Sequence, residues 1–200
     1  LKKAKKEDMP LDKLGIYDVT TGVTDTIGRL KSYKAPARWS GWLAWQCEPL
    51  KEKPAAMPDT AAGDNGKGKK PKSESADNGY TLYIRNLTSG RTDKVRFVTE
   101  YLFAEEAEKL MYATTGEDSI SEAGVAIIDL KRGEKTVLYS GKAKYKQLTM
   151  DKKGERAAFI ISFDEKDKAG NTYSLCTWNG KGLATVAASK GTKGIPEGWI

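Results

Sequence analysis

The sequence predicts an all-β fold, a partial β-propeller of four-stranded antiparallel blades, from three observations. First, short apolar segments rich in β-forming residues alternate with polar turns, and no segment keeps a convincing helical period. Second, a turn glycine follows an apolar segment at Gly22, Gly90, Gly133 and Gly180. Third, a polar corner followed by an apolar strand recurs in RWSGWLAWQC, AEEAEKLMYAT and DKKGERAAFIIS. These glycines are 68, 43 and 47 residues apart, and the first spacing also approaches the ~40–45-residue period of propeller blades if a low-complexity loop accounts for about 25 of its residues. Two landmarks that recur in the same order favour a propeller over a β-sandwich.

The clearest unit runs from Leu102 to Gly133. Its predicted parts are a strand that ends at Phe103, a charged corner over Ala104–Glu108, strands over Lys109–Thr114 and Gly124–Leu130, a turn over Lys131–Gly133, and a fourth strand over Lys135–Tyr139. Four short antiparallel strands of this kind form one propeller blade. This unit therefore serves as the template for its neighbours.

The repeat divides the chain into a basic lead-in over 1–14 and a propeller fragment over 15–200. Blade parts are expected at about 15–33, 34–99, 100–143, 144–194 and 195–200. The chain would then start at the third strand of one blade and stop at the first strand of another, with about three full blades between them. We therefore expect a piece of a larger protein, which self-associates when isolated because blade faces and edges are exposed.

The stretch Pro49–Gly79 differs in composition from the rest of the chain. It is rich in Pro, Gly, Ala, Ser and Lys and has almost no bulky apolar residue. Such a segment buries too little apolar surface to offset the entropy of ordering, so we predict a disordered insertion within one hairpin. An interdomain linker is the other interpretation of this composition.

A tryptophan-rich strand precedes the insertion and carries Trp39, Trp42 and Trp45. Apolar residues on both faces are typical of a strand packed between two layers, so core packing is the first interpretation. Exposed tryptophans could instead stack on carbohydrate, which gives a second hypothesis. Cys47 and Cys176 each lie in an apolar strand and are expected to be small buried hydrophobes, and the sequence leaves their oxidation state open.

The charge pattern gives little support for a nucleic-acid partner. The net charge is +7, but the lysines lie in tails and turns and do not interleave with aromatics along one stripe. No apolar run has the length of a membrane span, and no apolar segment of a signal peptide follows the basic residues at the start. We predict neither a nucleic-acid partner nor a membrane span.

No catalytic, cofactor-binding or metal-binding residue is predicted. The sequence has no histidine and no G-x-S-x-G, so it cannot build a Ser-His-Asp triad by itself. The acidic run Asp164–Asp167 is interleaved with lysine and lacks the spacing of a calcium loop. Arg38, Arg85, Arg96 and Arg156 cannot be assigned a role from the sequence.

The order of the motifs resembles the propeller of the prolyl oligopeptidase and dipeptidyl peptidase family of serine peptidases. The resemblance is carried by KKAKKEDMPLDKLGIYDVTTG, GWLAWQCE, the Lys-rich insertion, YIRNLTSG and YLFAEEAEKLMYAT, and it is strongest to large exported members from Bacteroidetes. The corners AEEAEKL and DKKGERA replace the commoner Ser-Pro-Asp-Gly corner of the family.

The resemblance implies a periplasmic or otherwise exported protein in which the propeller covers an α/β-hydrolase domain of the same parent chain. The propeller would gate and position peptide substrates, and the nucleophile, Asp and His would lie beyond this chain. Family members that release dipeptides bind the substrate amine with a Glu pair, but Glu105 and Glu106 lie in a polar corner with different surroundings, so we do not transfer that role. A propeller scaffold for protein–protein interaction remains the alternative.

Overall fold

The computed structural model describes residues 10–50, 72–117, 121–163 and 172–195. Within these ranges the regular structure consists of thirteen strands, with no helix. They form sheets of two, seven and four strands, and within each sheet every strand pairs antiparallel with the strands next to it in the chain. The predicted all-β fold is confirmed. Four parts of the chain that the sequence analysis discusses lie outside these ranges: most of the lead-in (1–9), residues 51–71 of the insertion, the Asp164–Asp167 loop and residues 196–200. The described segments contain no helix that could cross a membrane.

The strands form three units of four, preceded by a hairpin of two. The hairpin is β1 (Leu14–Tyr17) and β2 (Thr24–Ile27). Blade I contains β3 (Leu30–Lys34), β4 (Trp42–Cys47), β5 (Tyr80–Asn86) and the first part of β6 (Thr92–Phe103). Blade II contains the second part of β6, then β7 (Lys109–Thr114), β8 (Gly124–Asp129) and β9 (Glu134–Ser140). Blade III contains β10 (Lys144–Met150), β11 (Ala157–Ser162), β12 (Ser174–Trp178) and β13 (Thr185–Ser189).

The long strand β6 belongs to two blades. Its first part pairs with β5 up to Val98, and its second part pairs with β7 from Val98 onward, so one continuous ladder of seven strands contains two four-stranded units. The backbone turns at Phe97, whose φ of 56° lies in the left-handed region, and the register shifts beside it in both pairings. Phe97 and Val98 therefore mark the junction between blades I and II.

The first blade boundary differs from the prediction. Residues 30–33 were expected in the preceding unit, but β3 pairs with β4, from Leu30 opposite Cys47 to Lys34 opposite Ala44. The return strand β2 already ends at Ile27, and Arg29 takes a left-handed φ of 56° immediately before β3. The chain thus leaves the hairpin through a two-residue turn and starts blade I earlier than the turn glycines indicate.

Blade II is packed on both of its faces. Leu110 and Tyr112 of β7 lie in a cluster with Leu82 and Ile84 of blade I. Met111 lies in a second cluster that includes Phe159 and Cys176 of blade III. Side chains alternate across a strand, so an uninterrupted apolar strand can fill two interfaces at once. This explains why β7, with the sequence KLMYAT, does not alternate between apolar and polar residues.

Part of the predicted insertion is included in the described residues. Residues 72–79 form a tight hairpin in which Ser75 and Gly79 make a β-bridge. The Gly79 amide donates to the Ser75 carbonyl at 2.8 Å, and the Asn78 side-chain amide donates to the Ser73 carbonyl at 2.7 Å. The disorder predicted for Pro49–Gly79 therefore does not describe its last eight residues, and it stays a prediction for the rest.

Candidate functional site

Three loops between first and second strands meet at one rim of the molecule. They span 35–41 in blade I, 104–108 in blade II and 151–156 in blade III. The Trp39 indole N–H donates to the Ala104 carbonyl at 2.9 Å, and the Glu106 amide donates to the Lys152 carbonyl at 2.7 Å. The Lys109 ammonium donates to the Gly154 carbonyl at 3.0 Å. Each corner is thereby fixed to its neighbour.

A group of four charged side chains covers this rim, and we call Arg38, Glu105, Glu106 and Lys152 the charged corner. Arg38 Nε lies 2.6 Å from Glu105 Oε1, and Arg38 Nη1 lies 3.5 Å from Glu106 Oε1. Lys152 Nζ lies 3.9 Å from Glu105 Oε1 and 3.7 Å from Glu106 Oε1. One cation from blade I and one from blade III thus face the two carboxylates of blade II.

Glu105 and Glu106 lie, as predicted, in a polar corner between the first and second strands of a blade. Both carboxylates already have cationic neighbours from this chain. The geometry suits a charged link between blades, with no nucleophile or acid–base pair in it.

A shallow cleft of about 640 Å³ lies beside the charged corner. Its lining carries three acidic and three basic side chains and an aromatic edge from Trp39. The acidic residues are Glu106, Glu108 and Asp129, and the basic ones are Lys109, Lys131 and Arg132. Arg132 is already paired, since its Nε lies 3.4 Å from Asp129 Oδ2. The cleft is therefore a polar surface with internal charge balance.

The three tryptophans do not form an exposed platform. Trp45 is only 6% exposed and stacks on Tyr83, with ring centroids 5.5 Å apart and planes 7° apart. Trp39 meets Phe103 edge to face at 5.5 Å, and Trp42 packs against the cluster between blades I and II. Core packing is the better description, and the carbohydrate-stacking hypothesis fails because it requires solvent-facing rings.

The remaining candidates also have structural surroundings. Cys47 and Cys176 are free thiols in different blades, and burial raises the pKa of both. Arg85 Nη1 lies 2.5 Å from Asp25 Oδ2, and Arg96 forms an ion pair with Glu117. The backbone amide of Arg156 donates to Asp151 Oδ1 at 3.1 Å. In the part of the chain that the structure describes, no three His, Cys, Asp or Glu side chains are grouped as metal ligands.

Polar links between the first strands of adjacent blades were not predicted. The Lys34 ammonium donates to the Tyr101 carbonyl at 2.7 Å, and the Ser32 and Tyr101 hydroxyls are 3.0 Å apart. The Glu100 carboxylate accepts the Leu148 amide at 3.1 Å, which joins blade II to blade III. Each partner is far along the chain, so no local pattern could reveal these contacts.

Together, the three meanders and their shared interfaces define a partial β-propeller whose described sheets do not close into a ring. No protein-family model matches the chain. No curated protein matches it.

Solved structures do match. Acylaminoacyl peptidase from Pyrococcus horikoshii matches 80% of this chain and 24% of its own, at 12% identity and a TM-score of 0.48. The tricorn protease matches 84% of this chain and 16% of its own, at 9% identity and a TM-score of 0.48. The β-propeller domain of the trilobed protease from Pyrococcus furiosus matches 80% of this chain and 56% of its own, at 9% identity and a TM-score of 0.38.

The chain spans a quarter or less of the first two of these proteins. The activity, substrates and partners of the whole protein are therefore matters for a proposal.

Proposed function

We propose that this chain is the non-catalytic propeller segment of an exported serine peptidase similar to prolyl oligopeptidases. In this proposal the propeller restricts and positions peptide substrates, and an α/β-hydrolase domain elsewhere in the parent chain supplies the nucleophile, Asp and His. The observation that carries it is the rim at the charged corner, where loops of three successive blades are held together by direct contacts.

The mechanism is steric selection. A rim of tightly bonded loops keeps one shape, so it can exclude folded proteins and admit short flexible peptides. Holding an admitted peptide near the reacting groups lowers the entropic part of the barrier, and this needs no catalytic residue in the propeller. The hydrogen bonds and paired charges at the rim suit this role together, because they link the loops without presenting a reactive group.

The first test concerns the peptidase itself. The full-length gene product is treated with a fluorophosphonate probe, which labels activated serines, and the labelled peptide is identified by mass spectrometry. We expect one labelled serine in a G-x-S-x-G outside residues 1–200. A full-length product with neither the motif nor the labelling would contradict the peptidase and favour the scaffold alternative.

The second test concerns gating. In the full-length protein, the double variant Arg38→Ala with Lys152→Ala removes both cations of the charged corner. Peptides of increasing length that share one cleavage site are compared by kcat/KM, and we expect a severalfold gain for the longest peptides and no change for the shortest. Lys31→Ala is the matched control, because it breaks an ion pair with Glu48 on blade I, away from the rim, at 3.1 Å. An unchanged length profile in the double variant would refute gating at this rim and leave the peptidase assignment intact.

A further inference from the structure

The hairpin over residues 72–79, which we call the strap, has a lysine at its first residue that bonds it to blade II. The Lys72 ammonium donates to the Thr115 carbonyl at 2.9 Å, to the Thr115 hydroxyl at 2.6 Å and to the Gly116 carbonyl at 2.7 Å. It also lies 4.6 Å from the centroid of the Phe97 ring. Charge-assisted hydrogen bonds of this kind are among the stronger polar contacts in proteins, and here they join the end of the insertion to blade II.

The Thr115 hydroxyl continues this contact back into the strap. It accepts from Lys72 and donates to the Asn78 carbonyl. The Thr115 amide in turn donates to the Phe97 carbonyl at 3.0 Å. The two ends of the strap, the start of the loop after β7 and the turn of β6 are thus connected through one threonine.

Gly79 lets the strap lie directly on β6. A Cβ at Gly79 would come within 2.5 Å of the Phe97 carbonyl carbon, and the φ of 86° at Gly79 is one that glycine adopts easily. The contact is at the junction where β6 leaves blade I and enters blade II. The strap therefore crosses the junction between these two blades.

The strap also forms one wall of a pocket of about 280 Å³. Ala76 and Asp77 face Thr99 and Glu100 of β6 and Tyr145 of β10, so the strap, blade II and blade III contribute to this pocket. Any movement of the strap away from β6 would change both the junction and the opening of the pocket.

We propose that Lys72 is a conformational clasp that holds the strap closed over the junction of blades I and II. While the clasp is bonded, the turn at Phe97 is fixed and the pocket keeps its wall. When it is released, the strap separates from β6, the junction loosens and the pocket loses one wall. This inference does not depend on a hydrolase domain or on peptidase activity.

The test is hydrogen exchange, followed by mass spectrometry, in the full-length protein. Lys72→Met keeps much of the side-chain length and removes the charge and the three hydrogen bonds. We expect exchange in peptides that cover 73–81 and 113–117 to become faster by about tenfold or more, which is the factor that corresponds to the loss of one charge-assisted hydrogen bond. Peptides that cover β11 in blade III should keep their rates.

Two further variants make the result decisive. Lys94→Met is the matched control, since Lys94 also lies over an aromatic ring of blade I, 5.3 Å from the Tyr83 centroid, and it takes no part in the bonds from Lys72 to Thr115 and Gly116. Exchange of the strap amides in this variant should be unchanged. Thr115→Val removes the hydroxyl that links Lys72 to Asn78 and should reproduce the local effect of Lys72→Met, including where that variant folds poorly. Unchanged strap exchange in Thr115→Val, or equal acceleration in Lys94→Met, would overturn the clasp.

Discussion

The charged corner allows packing and ion pairing to be compared at two adjacent residues. Arg38 and Trp39 both join blade I to the corner of blade II, the first through charges and the second through a hydrogen bond and ring packing. We predict that Trp39 contributes more to stability than Arg38. The variants are Arg38→Ala, Trp39→Phe and Trp39→Ala.

The magnitudes follow from exposure. The side chain of Arg38 is 58% exposed and that of Glu105 is 36% exposed, and ion pairs this open to water contribute about 0–1 kcal/mol. The indole N–H of Trp39 bonds the carbonyl of Ala104, a residue that is 1% exposed. Removing the donor from a buried carbonyl costs about 1–3 kcal/mol. Trp39→Phe should therefore lower the free energy of unfolding more than Arg38→Ala does. Trp39→Ala also removes the partly buried ring that packs edge to face on Phe103, so it should be more destabilising than Trp39→Phe.

The measurement is urea denaturation followed by circular dichroism, at low salt and again near 1 M salt. The small effect of Arg38→Ala should shrink further at high salt, because the screening length falls to about 3 Å there. The effects of the two Trp39 variants should persist. If Arg38→Ala proves more destabilising than Trp39→Phe, or if the Trp39 effects disappear in salt, the corner is held by charge and this reasoning is wrong.

Three further predictions concern the blades. Gly124→Ala should destabilise the protein by about 1–3 kcal/mol, because the added Cβ would collide with the Tyr139 carbonyl oxygen. Gly28→Ala, with open space around the added Cβ, should change stability by less than about 0.5 kcal/mol. Equal unfolding free energies for the two variants would contradict the steric argument. Burial, with smaller effects of Tyr139 and Cys176, raises the pKa of Tyr145. An unfolded tyrosine ionises near pH ~10, so the contribution of Tyr145 is complete below that pH and lost as the pH rises above it; the alkaline loss of stability should be weaker in Tyr145→Phe. The isolated chain should associate in light scattering after size exclusion, since blade faces are uncovered; a monodisperse, cooperatively melting monomer would show that the domain boundary is misjudged.

Much of the blade pattern could be predicted because it depends on local signals. In the template unit, the second strand matches its predicted bounds, Lys109–Thr114, and the third ends at Asp129, one residue before the predicted Leu130. The turn after the third strand is set by Asp129, whose carboxylate accepts the amides of Lys131 and Arg132. Side chains that bond their own neighbouring backbone leave a readable mark in the sequence.

The junctions could not be predicted in the same way. Arg29, Phe97 and Gln147 have positive φ values of 56°, 56° and 54°, beside or within the first strand of each blade. None of them is glycine or asparagine, so composition gave no sign of a left-handed turn. The conformation is imposed by pairing with distant strands, as the register shifts near all three positions indicate.

The same reasoning explains why the strap was missed. The low-complexity composition of the insertion predicts disorder through its last residue, and Lys72 looks like one more lysine of a basic run. Its three acceptors lie on Thr115 and Gly116, more than forty positions away along the chain. Lys72 becomes a structural contact only because folding places backbone carbonyls around its ammonium group. Its residue type and its neighbours in the sequence therefore give no sign that it couples the blades.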